Sequence, residues 1–203
     1  MDLKETYNKI AEDWNIDHKN DDWWVKGTDK FISLLKPGST ILDVGCGSGD
    51  KSSYFIKREF QVTGIDFSEG MIDIARREMP GGEFFVFDMR DAGKLEKNFD
   101  AVFIQAALLH IPKKEAESVV RGFVDKLNKG GLLYIAVKEI RPGKPEEEIR
   151  TENDYGYDYK RFFSYFTLDE IKVILKNSKL SVVYENVSIS GNTRWIQVVG
   201  KNA

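Results

Sequence analysis

Cysteine, histidine and proline are scarce: one, two and five residues in a chain of 203. A lone Cys46 forms no internal disulfide, and one cysteine with two histidines does not make the usual four-ligand zinc site, so no metal is expected. No apolar run is long enough to span a bilayer. Neither sign of charge prevails, with 30 basic against 33 acidic side chains and a net charge of -3. No global positive field therefore draws the chain to nucleic acid or to anionic lipid. The opening MDLKETYNKIAEDW is charged throughout and lacks the apolar stretch of a signal peptide, so a cytoplasmic setting is expected.

What is present is a folded protein's composition. The chain is 41% hydrophobic, 12% aromatic and 31% charged, which argues against disorder and, at this length, for one domain. After residue 37, short β-branched runs alternate with stretches at helical spacing, an α/β pattern. Strands are expected at Thr40–Val44, Gln61–Ile65, Glu83–Phe87, Phe99–Ile104, Leu132–Val137, Ser181–Ile189 and Arg194–Val199. Helices are expected from Lys51 to Glu59, from a cap at Ser68, after Pro112 until Lys129-Gly130-Gly131, and from Thr167 to Asn177. The turn Ser190-Gly191-Asn192 joins the last two strands as an antiparallel hairpin. The expected fold is α/β, with parallel strands joined by helical crossovers. Its parts are a helical cap of two short helices at 1–36, a core at 37–138, a polar loop or lid at 139–166, and a terminal helix and hairpin at 167–203.

The strongest chemical signal is Ile41-Leu42-Asp43-Val44-Gly45-Cys46-Gly47-Ser48-Gly49, an apolar strand running into a glycine turn before a helix. Glycines there let backbone approach a ligand, and the helix beyond offers free N–H groups. Asp66 ends the second strand 21 residues after Gly45, where a carboxylate accepts hydrogen bonds from two ribose hydroxyls. The plainer alternative is a tight turn with a solvent-facing Asp. A dinucleotide G-x-G-x-x-G would place its third glycine at Asp50, whereas glycine falls at Gly49. Asp43, two residues before the turn, suits a charged amine better than a pyrophosphate. An amino-acid-bearing nucleoside fits this pattern better than NAD.

From about Tyr7 to Val199 the sequence resembles the class I S-adenosylmethionine-dependent methyltransferases, in particular the small-molecule enzymes related to those of ubiquinone biosynthesis. ILDVGCGSG is similar to the first motif of that group, VTGIDFSEGMIDIAR to the second, FVFDMRD to the third and FDAVFIQAALLHIP to the fourth. LNKGGLLYIAVKE is similar to the fifth strand with its glycine turn. The resemblance implies a Rossmann-like, doubly wound sheet of seven strands with the last antiparallel, and S-adenosylmethionine as cofactor. It implies that Gly45, Cys46, Gly47 and Gly49 contact the methionine part, with Asp43 near its amine, and that Asp66 holds the ribose. Phe67, Met71 and Met89 would flank the adenine, Asp88 would bond its amino group, and Gln105 completes the cofactor set.

Each further candidate has a plain alternative. Asp88 is either a ligand contact or a turn residue. Cys46 lacks the paired base a thiol nucleophile needs. His110 either takes a proton from the acceptor or caps the helix that follows. Tyr7, Trp14, Trp23 and Trp24 form an aromatic wall over a sulfonium or simply pack the helical cap. Lys138, Glu139, Arg141, Arg161 and Tyr165 bracket the polar loop and bind substrate or form a solvated lid. The Gln105-Ala106-Ala107 stretch lacks the signatures of base-amino and magnesium-dependent catechol enzymes, which leaves a small organic acceptor. Two rival functions remain: a protein that binds the cofactor or its demethylated product without catalysis, and a nicotinamide oxidoreductase. For the latter, Tyr134 and Lys138 have a dehydrogenase spacing, but on a strand they stand about 13 Å apart.

Overall fold

The computed structural model describes residues 2–19 and 21–203. Seven strands form one sheet in the order β3-β2-β1-β4-β5-β9-β8: β1 Thr40–Val44, β2 Gln61–Asp66, β3 Glu83–Val86, β4 Phe99–Gln105, β5 Leu127–Lys138, β8 Ser181–Ser190 and β9 Thr193–Lys201. The first five pair in parallel, and β9 runs antiparallel to both β5 and β8. The sequence order reverses between β1 and β4, the switch point at which open α/β sheets bind ligands.

Side chains on the central strands alternate between two cores. Ile41, Phe103 and Tyr134 pack with Phe31 and Phe55, which come from α2 (Val25–Ile32) and α3 (Asp50–Ile56). Leu42, Val102 and Leu133 face the other way, against Val120 and Phe123 of α5 (Lys113–Val124) and Leu175 of α6 (Leu168–Asn177). Apolar residues on both faces are what a parallel sheet covered by helices requires. Thr167 caps α6 in a reciprocal capping box with Glu170, and Ser68 caps α4 (Glu69–Glu78) through the Met71 N–H.

The cap has the two expected helices, and the first is longer than expected. α1 spans Leu3–His18 and lies against α4 and a strand at Tyr159–Ser164 rather than across the sheet. The contact is close: a Cβ on Gly70 would meet Ala11 Cβ at 3.1 Å, and Asn8 Oδ1 accepts from Ser68 Oγ at 2.7 Å. Asn8 thereby ties the cap to the start of α4.

Two further expectations are corrected. Residues 139–166 contain a two-stranded antiparallel hairpin, β6 (Glu147–Glu152) and β7 (Tyr159–Ser164), where a loop was expected. Its alternation was hidden because Arg161 occupies an inward position between Tyr159 and Phe163, all three buried. The helix before β5 ends at Val124, and Gly130 and Gly131 lie within β5. Gly130 has φ +73°, and a Cβ on Gly131 would meet Asn128 O at 2.8 Å and Asp100 O at 3.0 Å. These glycines shape the register shift between Phe99 and Ala101, so they bend a strand and do not stop a helix.

Candidate active site

A cavity of about 240 Å³ opens at the C-terminal ends of β1, β2, β4 and β5. Its floor is the turn after β1, where Gly45 and Gly47 adopt φ +66° and +55°, a region that favours glycine. The two serve different needs. A Cβ on Gly45 would stand 2.3 Å from Ala107 Cβ, whereas one on Gly47 would meet nothing nearer than Met71 Sδ at 4.0 Å. Gly47 thus leaves a cradle that any side chain would fill. Gly49 is outside the cavity wall, at φ +90°, and a Cβ there would meet Met79 Cε at 2.1 Å. Its glycine is explained by packing against α4.

Two buried carboxylates flank the turn. Asp66 accepts from the Gly47 N–H at 3.1 Å and the Ser68 N–H at 2.9 Å, and Asp43 accepts from Ser52 Oγ at 2.7 Å. Burial pushes each carboxyl up to about 6 against those hydrogen bonds. Cys46 lines the same floor, and burial raises its thiol well above the usual range, which removes thiolate chemistry.

Gln105, at the end of β4, is the orphan of the site. It is only 7% exposed, lines the cavity, and neither amide atom has a hydrogen-bond partner among the described residues. Buried amides are normally paired, so an unpartnered one facing a cavity indicates a ligand. The next residue, Ala106, is non-glycine at φ +54°. Such backbone strain accompanies functional sites.

The wall over the floor comes from distant parts of the chain. His110 sits in a 3₁₀ turn, Leu108–His110, and caps nothing, since Pro112 holds the capping position of α5. Its Nδ1 lies 2.7 Å from the Phe162 carbonyl and its Nε2 lies 2.8 Å from the Tyr7 hydroxyl. A carbonyl only accepts, so Nδ1 carries the proton and Tyr7 donates to Nε2. Burial, with Arg161 and Lys138 nearby, holds the His110 ring down at about 3 and therefore neutral. Arg161 donates to Glu152 at 2.6 and 2.7 Å and reaches the Tyr7 oxygen at 3.5 Å.

Of the tryptophans, Trp14 and Trp23 line the cavity, while Trp24 packs against Tyr54 with ring centres 5.1 Å apart. Trp195, which sequence reasoning missed because it reads as one more strand residue, stacks on Trp23 at 4.0 Å and joins the wall. Lys138 and Arg161 also face the cavity. Glu139, Arg141 and Tyr165 do not: Glu139 pairs with Arg194, Arg141 donates to the Asn192 carbonyl, and Tyr165 donates to Glu148. Tyr134 is buried in the core and stacked on Phe103, away from Lys138's cavity.

Asp88 borders an adjoining cavity of about 940 Å³, which shares Phe67, Met89 and His110 with the first. Its carboxylate accepts from the Arg90 N–H at 2.9 Å and remains partly exposed. Phe67 lines both cavities, and Met71 lines the first beside Asp66.

A profile of the methyltransferase domain matches residues 41–131, the stretch from β1 through the floor and Gln105 to the start of β5. That stretch is a methyltransferase domain, and the chain is similar to the class I S-adenosylmethionine-dependent methyltransferases. A phosphoethanolamine N-methyltransferase of Triticum aestivum is 34% identical over 149 residues, which cover 70% of this chain and 29% of that protein. A ubiquinone biosynthesis O-methyltransferase of Coxiella burnetii is 28% identical, covering 64% of this chain and 58% of that one. The chain thus spans less than a third of the length of the wheat relative. Among solved structures, the 1,6-didemethyltoxoflavin-N1-methyltransferase of Burkholderia thailandensis, with its substrate and S-adenosylhomocysteine bound, has a TM-score of 0.77 at 16% identity. That match covers 99% of this chain and 87% of the other, and it establishes the shared fold.

Proposed function

We propose that the protein transfers a methyl group from S-adenosylmethionine to a small organic acceptor by in-line displacement. The observation that carries this reading is the pair of buried carboxylates, Asp43 and Asp66, beside a glycine floor left open at Gly47. A cavity with two buried carboxylates and room at the backbone suits a cationic nucleoside, and the orphaned amide of Gln105 marks a further unmet contact for a bound ligand. When bound, S-adenosylmethionine supplies an electrophilic methyl group on a sulfonium.

The chain's own residues then have assignable tasks. Asp66 takes the ribose hydroxyls, and Asp43 with Gly45, Cys46 and Gly47 takes the amino-acid end. Phe67, Met71 and Met89 flank the adenine, and Asp88 in the adjoining space accepts from its amino group. Tyr7 and Trp14 cover the cavity and exclude water. His110 is a positioning residue, because a neutral ring with both nitrogens engaged fixes the Tyr7 hydroxyl and has little basicity at neutral pH. Alignment and exclusion of water are most of what such a transfer asks of the protein.

The test is a thermal shift of the purified protein with S-adenosylhomocysteine, S-adenosylmethionine and NADH in parallel. A rise with the two adenosyl ligands alone is expected. A rise with NADH alone would overturn the reading. Methyl transfer from labelled S-adenosylmethionine to any member of a small-molecule panel separates an enzyme from a non-catalytic binder.

A further inference from the structure

Four side chains at the ends of adjacent strands line the cavity in spatial order: Asp66 on β2, Asp43 on β1, Gln105 on β4 and Lys138 on β5. Charge therefore runs from two carboxylates through a neutral amide to an ammonium. Neighbouring strands are about 4.8 Å apart, which puts Lys138 about 10 Å from Asp43 along the sheet. The carboxylate end matches the cationic cofactor. The ammonium end has no counterion.

Lys138 is partly buried, with its ammonium 4.3 Å above the Phe163 ring and 5.7 Å from that of Trp195. Among the described residues it makes no ion pair, whereas Arg161 and Glu139 beside it do. Arg161 is neutralised by Glu152 and Glu139 by Arg194. One positive charge is thus left over at this end of the cavity, in surroundings whose aromatic walls limit access of water. Burial, reinforced by Arg161 and Arg150, lowers the ammonium to about 8. An anion would relieve both penalties.

We infer that the acceptor carries an acidic group, a carboxylate or a phosphate monoester, which pairs with Lys138 while Gln105 holds the acceptor's polar atoms between that group and the cofactor. The inference rests on the proposed cofactor reading and names the acceptor's class. Lys138 acts here as a specificity-determining residue: it positions the acceptor by its charge, and the attacking atom lies nearer the floor. The free cation in turn disfavours positively charged acceptors that lack an acidic group.

The experiment uses calorimetric titration at pH 7 in low salt, first of S-adenosylhomocysteine alone and then of probe pairs into the protein saturated with it. The pairs are benzoate against benzamide and phenyl phosphate against phenol, with inorganic phosphate as a further probe. The expected result is at least tenfold tighter binding of the charged member of one pair, and which pair responds distinguishes carboxylate from phosphate. Lys138→Met and Lys138→Gln are expected to abolish the preference and Lys138→Arg to keep most of it, while S-adenosylhomocysteine affinity stays within about twofold. Equal binding of charged and neutral members by the wild-type protein overturns the inference, as does a preference that survives Lys138→Met. The first titration reports on the cofactor reading by itself, so failure there is separate from failure of the anion site.

Discussion

The Tyr7 hydroxyl donates to His110 Nε2 across 2.8 Å, joining residues 103 positions apart in the sequence. That bond fastens α1 to the turn after β4 and closes the wall of the cavity opposite the glycine floor. Tyr7→Phe leaves a buried ring nitrogen without its donor, which costs about 1–3 kcal/mol of stability. The turnover number for an accepted substrate is expected to fall more than KM rises, because the bond positions a roof. Steady-state kinetics with the folded variant checks this, and an unchanged turnover number would remove Tyr7 from the mechanism.

Asp66 provides the sharpest test of the cofactor site. Asp66→Ala is expected to weaken S-adenosylhomocysteine binding by about 2 to 4 kcal/mol, the worth of two hydrogen bonds to a charged group. Calorimetry on a variant that melts cooperatively decides it. The loss of the Gly47 brace should add to the effect.

The two floor glycines separate folding from binding. Gly45→Ala forces a Cβ against Ala107 at 2.3 Å and should destabilise the fold by about 1–3 kcal/mol or more. Gly47→Ala meets open space, so its main loss is expected in ligand affinity, at least tenfold, with a smaller change in melting temperature arising from its positive φ. A Gly47→Ala protein that binds S-adenosylhomocysteine normally would show that the ligand does not occupy the cradle.

The raised carboxyls give a pH dependence with a definite sign. Asp43 and Asp66 hold protons up to about pH 6 in the folded protein but ionise near 3.8 when unfolded. Their contribution to stability is therefore fully present below pH 4 and is lost as pH rises through about 6. Asp43→Asn should remove that loss and stabilise the ligand-free protein at pH 7.5 by about 3 kcal/mol, at about 1.36 kcal/mol per pKa unit. Ligand affinity follows the opposite course in the wild-type protein. A cationic ligand prefers both carboxylates ionised, so its affinity should fall severalfold between pH 7 and pH 5. Chemical denaturation and calorimetry across that range measure the two effects.

The Arg161–Glu152 pair is buried, with the two side chains 9% and 11% exposed. Glu152→Gln leaves a buried guanidinium without its counterion and should cost about 3–5 kcal/mol. Denaturant unfolding provides the check. A loss under 1 kcal/mol would mean that the hairpin opens to water.

Much of the fold could be read because its signals are local. The strands β1, β2, β3 and β4 follow from β-branched runs bounded by Gly and Asp, and α6 from a Thr cap with Glu three residues on. The readings that failed were those in which a local signal had two meanings. Gly130-Gly131 looks like a helix stop, yet it bends β5. Arg161 makes β7 look like a loop, because its charge is satisfied only by Glu152 on the facing strand.

The glycine floor and its two flanking carboxylates were legible in the sequence by itself, because strand, glycine turn, helix start and the acid at the end of the next strand lie within about 30 residues and act largely through backbone geometry. Tertiary structure alone decided how the wall over that floor is assembled. Tyr7, Gln105, His110, Lys138, Arg161 and Trp195 come from six separate segments and meet only when α1, the β6–β7 hairpin and β9 pack around the sheet edge. Their charges, hydrogen bonds and protonation states are set by burial and by partners far away in the chain, which no local pattern encodes.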